Sequence, residues 1–156
     1  MERRDFFSHS GATALALASS ASFSALSAQT QNAPGWNKAA FEAKSLWDAA
    51  KSLGAQVAPT ESKALVLQAP EIAENGNVVR VMAQSSLPGI TQIAFVIEKN
   101  PSALAAVFDI APGTDASVAT NIKMAQSSNV YALAKVGDKF FYAVKEVKVT
   151  LGGCGG

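Results

Sequence analysis

The chain has 156 residues, of which 49% are apolar and 16% charged, so it is long enough for one domain with an adequate core. With 13 Lys and Arg against 12 Asp and Glu, its net charge of +1 provides no strong field for nucleic acid or an acidic membrane face. One Cys and one His exclude an internal disulfide framework and a Cys/His zinc cluster.

Residues 1–28 have the layout of a signal peptide for export. Arg3 and Arg4 precede two phenylalanines, and an uncharged run rich in Ala, Ser and Leu extends over 11–26. Small residues at 27–28 provide a cleavage zone, and the paired arginines are typical of the twin-arginine type. The run is too short and too rich in Ser for a membrane span, which needs about 20 apolar residues. The pattern predicts export to the periplasm by the twin-arginine pathway; an amphipathic N-terminal helix or anchor is the alternative.

Cleavage of this segment would remove His9, the only histidine of the chain. The mature chain would then have no histidine base for a Ser-His-Asp triad or a Cys-His pair. The twin-arginine route normally moves cargo that has already folded, and this small chain has no evident cofactor motif. We therefore hypothesise that it is exported already bound to a folded partner.

After a linker over 29–35, residues 36–54 predict one amphipathic helix. Apolar residues follow a 3.6-residue spacing, and lysines and acidic residues take the other positions. Gly54 fits the C-terminal stop of such a helix. The apolar set consists of Trp36, Ala39, Ala40, Ala43, Leu46, Trp47, Ala50 and Leu53.

The region 60–151 predicts a sandwich of about seven short antiparallel strands. Turn signals such as Asn75-Gly76 and Pro88-Gly89 separate β-rich runs at 8–12-residue spacing, and no long helices alternate with them. The predicted fold is therefore mainly β, with one N-terminal helix and no second domain. The predicted strands are Ala64–Ala69, Val78–Ser85, Gln92–Glu98, Ala105–Ile110, Val118–Met124, Val130–Val136 and Phe140–Leu151.

The last predicted strand changes the parity of its apolar residues. Phe140, Tyr142 and Val144 share one face, whereas Val147 and Val149 lie on the other. A strand with a single buried face cannot do this, so the pattern predicts a β-bulge near Lys145-Glu146. The alternative is that the second half, Val147–Leu151, faces another surface, such as a partner subunit.

The chain ends with a cysteine between glycines, and this is its most informative feature. Gly152, Gly153, Gly155 and Gly156 surround Cys154, and their wide conformational freedom predicts a flexible arm over 152–156. An extended arm would place the thiol on the order of 10 Å beyond Leu151. Because the mature chain has no histidine and the terminal carboxylate is near, the thiol is not self-activating. We interpret Cys154 as a carrier handle and assign no catalytic residue and no metal ligand.

The C-terminus also permits other roles. A single cysteine in an exported protein can form an intermolecular disulfide, which would link two chains through Cys154. A prenylation signal needs two aliphatic residues and a fourth residue after the cysteine, which this tail lacks. A protein that ends in Gly155-Gly156 could instead carry sulfur as a thiocarboxylate on its C-terminal carboxylate. A third alternative is a non-catalytic exported binding module linked through Cys154.

The chain resembles the SoxY family, the sulfur-carrier subunits of the periplasmic sulfur-oxidising (Sox) system. The ending Gly152–Gly156 matches the swinging-arm motif of that family in full, and the resemblance covers nearly the whole mature chain. The other segments that carry it are 69–76 (APEIAENG), 86–89 (SLPG), 97–101 (IEKNP), 121–125 (NIKMA) and 145–151 (KEVKVTL).

The resemblance implies an immunoglobulin-like sandwich paired with SoxZ, a second small β-sandwich protein. It implies that Cys154 carries the substrate covalently and that the four glycines form its arm. In the family's cycle the haem enzyme SoxAX joins thiosulfate to the thiol, and the dimanganese hydrolase SoxB releases sulfate. Where present, the molybdenum–haem enzyme SoxCD oxidises the remaining sulfur. The chain itself is expected to bind no cofactor, no nucleic acid and no membrane.

Overall fold

The computed structural model describes residues 37–151, which form two short helices and nine strands. The helices are α1 (Lys38–Phe41) and α2 (Leu46–Ser52). The strands are β1 (Thr60–Glu61), β2 (Leu65–Gln68), β3 (Ile72–Ala73), β4 (Val79–Ser85), β5 (Ile90–Ile97), β6 (Leu104–Asp109), β7 (Ser117–Ile122), β8 (Ser128–Val136) and β9 (Lys139–Val149).

The single helix predicted over 36–54 is wrong, because the described part of this segment forms two helices. Ser45 lies between them and caps the second, since its hydroxyl accepts a hydrogen bond from the N–H of Asp48 at 3.1 Å. Asn37 caps α1 in the same way through the N–H of Ala40. The predicted stop at Gly54 is confirmed by its positive φ of 103°, which favours glycine.

The strands form two facing sheets, and the prediction of a mainly β sandwich is confirmed. The large sheet has the order β1-β9-β8-β5-β6, with β3 also paired to β9. The small sheet has the order β2-β4-β7. All seven predicted strands are present, whereas β1 and β3 were not predicted. Each of these two strands has only two residues and pairs in parallel with β9, so neither forms a recognisable alternation.

The large sheet is covered on both faces. One face packs on the small sheet through residues such as Phe95, Ala132 and Val147. The other face packs on α1 and α2 through residues such as Leu133 and Phe140. Consequently β5 contains a continuous buried run over 93–97, as expected of a strand that is covered on both sides.

This layering explains the parity change in β9, and the predicted bulge near Lys145-Glu146 is wrong. The register between β8 and β9 is continuous from the pair Ser128–Val147 to the pair Val136–Lys139. The first half of β9 directs its larger apolar side chains toward the helices, and the second half directs Val147 into the core between the sheets. The alternative, that the second half of β9 faces a different surface from the first half, agrees with this arrangement. For Val147 that surface belongs to the same chain, because the residue is fully buried without any partner subunit.

Candidate functional site

The described structure ends at Leu151, directly before the predicted carrier arm. Cys154 and the four glycines at 152, 153, 155 and 156 lie outside the described residues, as does the signal segment 1–28. Their roles therefore stay predictions. What the structure defines is the base of the arm, formed by the end of β9 and the segments that hold it.

Backbone hydrogen bonds hold the chain in place up to Leu151. Strand β3 lies beside the end of β9, where the N–H of Lys148 donates to the carbonyl of Glu71 at 2.9 Å. The N–H of Thr150 donates to the carbonyl of Ala73 at 3.0 Å, and the carbonyl of Leu151 accepts from the N–H of Gly76 at 2.7 Å. The predicted reach of the thiol, on the order of 10 Å, is therefore counted from Leu151.

Two hydroxyl groups reinforce the same end of β9. The Ser127 hydroxyl accepts a hydrogen bond from the N–H of Val149 at 2.8 Å. This bond extends the contact between the two strands past their last backbone pair, Ser128–Val147. The Thr150 hydroxyl donates to the carbonyl of Glu74 at 3.0 Å. The sequence pattern assigned no role to Ser127 or to 71–76 at this site. Only the Asn75-Gly76 turn signal indicated that the chain reverses there.

The surface beside the arm base is charged but balanced. A shallow groove of about 350 Å³ is lined by Glu71, Ile72, Lys145, Glu146 and Lys148. It thus presents two cationic and two anionic side chains, and none of them forms an ion pair within residues 37–151. Because the two signs of charge balance, this surface provides no net attraction for an anion.

The rest of the described chain offers no stronger candidate for chemistry. Within 37–151 no three His, Cys, Asp or Glu side chains lie close enough to hold a metal ion. A cavity of about 380 Å³ lies between the loops around 85–90 and 110–116, and the only titratable side chain that lines it is Asp115. No described helix is long and apolar enough to cross a membrane.

One titratable group has a clearly shifted pKa. Burial raises the pKa of Tyr131 above its ordinary value, and the Glu98 carboxylate adds to the effect, whereas a hydrogen bond with Asn129 lowers it. Its ring packs edge to face on Tyr142 at a centroid distance of 5.8 Å. A phenol with a raised pKa is a weaker acid than usual and stays protonated near neutral pH, so we assign Tyr131 no proton-transfer role.

A family model described as "Sulfur oxidation protein SoxY" matches residues 49–154, a range that includes Cys154. Among solved structures, the chain is similar to the sulfur carrier protein SoxY from Chlorobium limicola f thiosulfatophilum, with 38% identity and a TM-score of 0.58. That match covers 67% of this chain and 96% of the other. It agrees with the predicted immunoglobulin-like sandwich.

Two weaker structural matches carry no argument about fold or function, because their TM-scores are below 0.5. One is a chain from a structure on T cell specificity and activation by the bacterial superantigen toxic shock syndrome toxin-1, with 14% identity over 55% of this chain and 98% of the other, at a TM-score of 0.39. The other is a Jonesia denitrificans lytic polysaccharide monooxygenase, with 15% identity over 61% and 60% of the two chains, at a TM-score of 0.35. None of the curated proteins matches the chain.

Proposed function

We propose that this chain, which belongs to the SoxY family of sulfur carrier proteins, carries thiosulfate-derived sulfur covalently on Cys154. The observation that carries the proposal is the family match, which extends through Cys154. The structure supports it by holding β9 in place up to Leu151, so that a short glycine-rich segment separates a rigid base from the thiol.

The proposed chemistry begins with oxidative conjugation of thiosulfate. The Cys154 thiol loses its proton, its sulfur bonds to the sulfane sulfur of thiosulfate, and two electrons pass to a haem enzyme of the SoxAX type. The product is a cysteine S-thiosulfonate. Water then attacks the terminal sulfone in a hydrolase of the SoxB type, which releases sulfate and leaves a persulfide on Cys154.

In this scheme the chain provides attachment and delivery, and its partners provide the acids, bases, metals and haems. Where a SoxCD enzyme is present, it would oxidise the persulfide sulfur, and hydrolysis would free the thiol. Each fixed arm residue costs roughly 1–2 kcal/mol of conformational entropy when the arm docks. Weak and transient encounters with these enzymes are therefore expected, and they suit the transfer of cargo from one enzyme to the next.

We further propose that the chain acts in the periplasm as a heterodimer with SoxZ. The twin-arginine-type layout of residues 1–28 supports export, and the family resemblance supports the partner. The interactions with SoxAX, SoxB and SoxCD would be transient.

Mass spectrometry of protein from thiosulfate-grown cells tests the proposal. Cleavage after Lys148 yields the peptide Val149–Gly156, which contains the only cysteine of the chain. We expect sulfur-containing additions on Cys154 that a thiol reductant removes. Additions on the Gly156 carboxylate would favour a thiocarboxylate carrier instead. An unmodified peptide together with a stable disulfide-linked partner would favour the binding module.

A further inference from the structure

We propose that β7 is a pairing edge for a second copy of this chain, with the two β7 strands antiparallel about a two-fold axis at Ala119. The inference goes beyond the carrier function, because it needs neither the thiol nor an enzyme partner. It joins two small sheets into one continuous sheet. Strand β7 belongs to the small sheet, whereas β3 and β9 belong to the large sheet. The chain just after β7 lies beside the base of the arm, since the N–H of Met124 donates to the carbonyl of Gly76 at 2.7 Å.

The backbone of β7 has one free side. The strand is at the end of the small sheet and pairs only with β4. The hydrogen bond from the N–H of Ser85 to the carbonyl of Ala116 fixes the alternation of this ladder. It directs the backbone groups of Val118 and Thr120 toward β4 and those of Ala119 and Asn121 away from it.

The outward backbone groups are available for pairing. Because β7 pairs only with β4, this alternation leaves the N–H groups of Ala119 and Asn121 and the carbonyl of Ser117 without a ladder partner. None of these groups takes part in a turn or loop hydrogen bond within residues 37–151. The N–H of Ser117 is occupied by the carbonyl of Asp115 at 2.8 Å. An unpaired row of this kind is a template for a strand from another chain.

Strand β7 lacks the features that usually block such an edge. Its six residues, Ser-Val-Ala-Thr-Asn-Ile, include no charge, proline or glycine, and its pairing with β4 has no register shift. The free edge of the large sheet, β6, differs because its pairing with β5 is irregular at Phe95/Val96. The segment between the helices also covers the start of β6, since the N–H of Ala103 donates to the carbonyl of Ala43.

The sequence of the edge is complementary to itself. An antiparallel register centred on Ala119 pairs Ser117 with Asn121 of the second copy, so the free carbonyl of one meets the free N–H of the other. It also pairs Val118 with Thr120, and the small Ala119 side chains meet at the axis. No like charges face each other along the strand.

Charges just outside β7 favour the same register. Asp115 precedes the strand and Lys123 follows it, and both residues are exposed. In an antiparallel pair centred on Ala119, Asp115 of one copy lies opposite Lys123 of the other copy. Neither side chain has an ion-pair partner among the described residues.

One edge strand buries less area than a stable dimer interface of about 1,200–2,000 Å² in total. The expected dimer is therefore reversible and depends on concentration.

Sedimentation velocity of the full chain with Cys154→Ser tests the inference, because this background excludes disulfide-linked dimers. Ala119→Pro removes a free N–H at the axis and leaves the β4 ladder intact, so we expect loss of the dimer. Val107→Pro on β6 is the matched control and should retain it. Circular dichroism checks that each variant is folded.

A charge exchange tests the register itself. Asp115→Lys or Lys123→Asp alone places like charges together and should weaken the dimer, whereas the double variant should restore it. A chain that is monomeric at all concentrations, a dimer that survives Ala119→Pro, or a double variant that restores nothing would each overturn the proposal. Hydrogen exchange at the amides of Ala119 and Asn121 provides a further check. The proposal would also be overturned if a different protein slowed this exchange and a second copy of the chain did not.

Discussion

Ser127 holds Val149 in place: its hydroxyl oxygen accepts the Val149 N–H at 2.8 Å, one residue before β8 begins. This bond continues the β9 ladder past the last backbone pair with β8. Together with β3 on the opposite side, it holds the last residues before the predicted arm between two segments of the protein.

We predict that Ser127→Ala loosens the base of the arm. The substitution leaves the N–H of Val149 without its partner, and we expect a loss of about 1–2 kcal/mol in the free energy of unfolding. Urea unfolding measures that loss, and hydrogen exchange should be faster at Val149. Ser86→Ala is the control, since Ser86 is exposed and its hydroxyl makes no hydrogen bond within residues 37–151. Equal stability of the two variants would contradict the prediction.

Cys154→Ser should abolish thiosulfate oxidation in a reconstituted set of Sox enzymes. The hydroxyl cannot form the S–S bond on which the proposed cycle depends. Unfolding by urea should not change, because the residue lies beyond the last described hydrogen bond of the chain. Oxidation that continues at the wild-type rate would exclude the carrier role and favour the binding module.

Deletion of Gly152 and Gly153 should impair delivery without affecting the thiol. The deletion shortens the reach beyond Leu151 by about 7 Å out of roughly 10 Å. We expect turnover with the enzymes to fall steeply, while Cys154 still reacts with a small thiol reagent at the wild-type rate. A matched variant with both glycines replaced by alanine retains the length and should retain more activity. If the deletion variant turned over normally, arm length would not be the limiting property.

Val147→Ala and Val144→Ala test the layered explanation of β9. Val147 is fully buried between the sheets, whereas Val144 is 40% exposed. We expect Val147→Ala to cost about 2 kcal/mol in the free energy of unfolding and Val144→Ala clearly less. Thermal or urea unfolding of the two variants distinguishes them. Similar losses would mean that the second half of β9 is not part of the core.

The pH dependence of stability should report Tyr131. Its pKa is raised in the folded state, first by burial and then by Glu98, above the ordinary value of 10.0. The folded chain therefore holds this proton more tightly than the unfolded chain. The resulting stability is fully present below the ordinary pKa and is lost as the pH rises through the folded one. Urea unfolding at about pH 8 and about pH 11 should show a smaller decline in Tyr131→Phe than in the wild type.

Local patterns were sufficient to predict the long strands and the fold class. Turn signals and short β-rich runs identified β2 and β4 to β9, because each is long enough to show composition and alternation. Two short elements, β1 and β3, were missed, since two residues form no pattern and only their position beside β9 makes them strands. The break between the helices was missed although Ser45 and Asp48 have the spacing of a helix cap, because the apolar periodicity continues across it.

The parity change in β9 was detected but assigned to the wrong cause. A single sequence shows which positions are apolar, but it does not show which layer covers each half of a strand. The prediction of a bulge assumed that the sheet has only one buried face. In the structure, the helices bury the second face of the sheet. For the predicted site, the sequence indicated the thiol and its glycines, whereas the contacts of Ser127 and β3 with β9 depend on the folded chain.

The helical layer also determines how the protein can be shortened. A fragment that begins at residue 60 would match the sandwich boundary predicted from the sequence. It would uncover Ala94, Val96, Leu104, Leu133 and Phe140, which α1 and α2 now shield from water. A bare apolar sheet face of this kind promotes aggregation. We therefore expect a soluble fragment to begin no later than Asn37, which caps α1, so that it retains both helices.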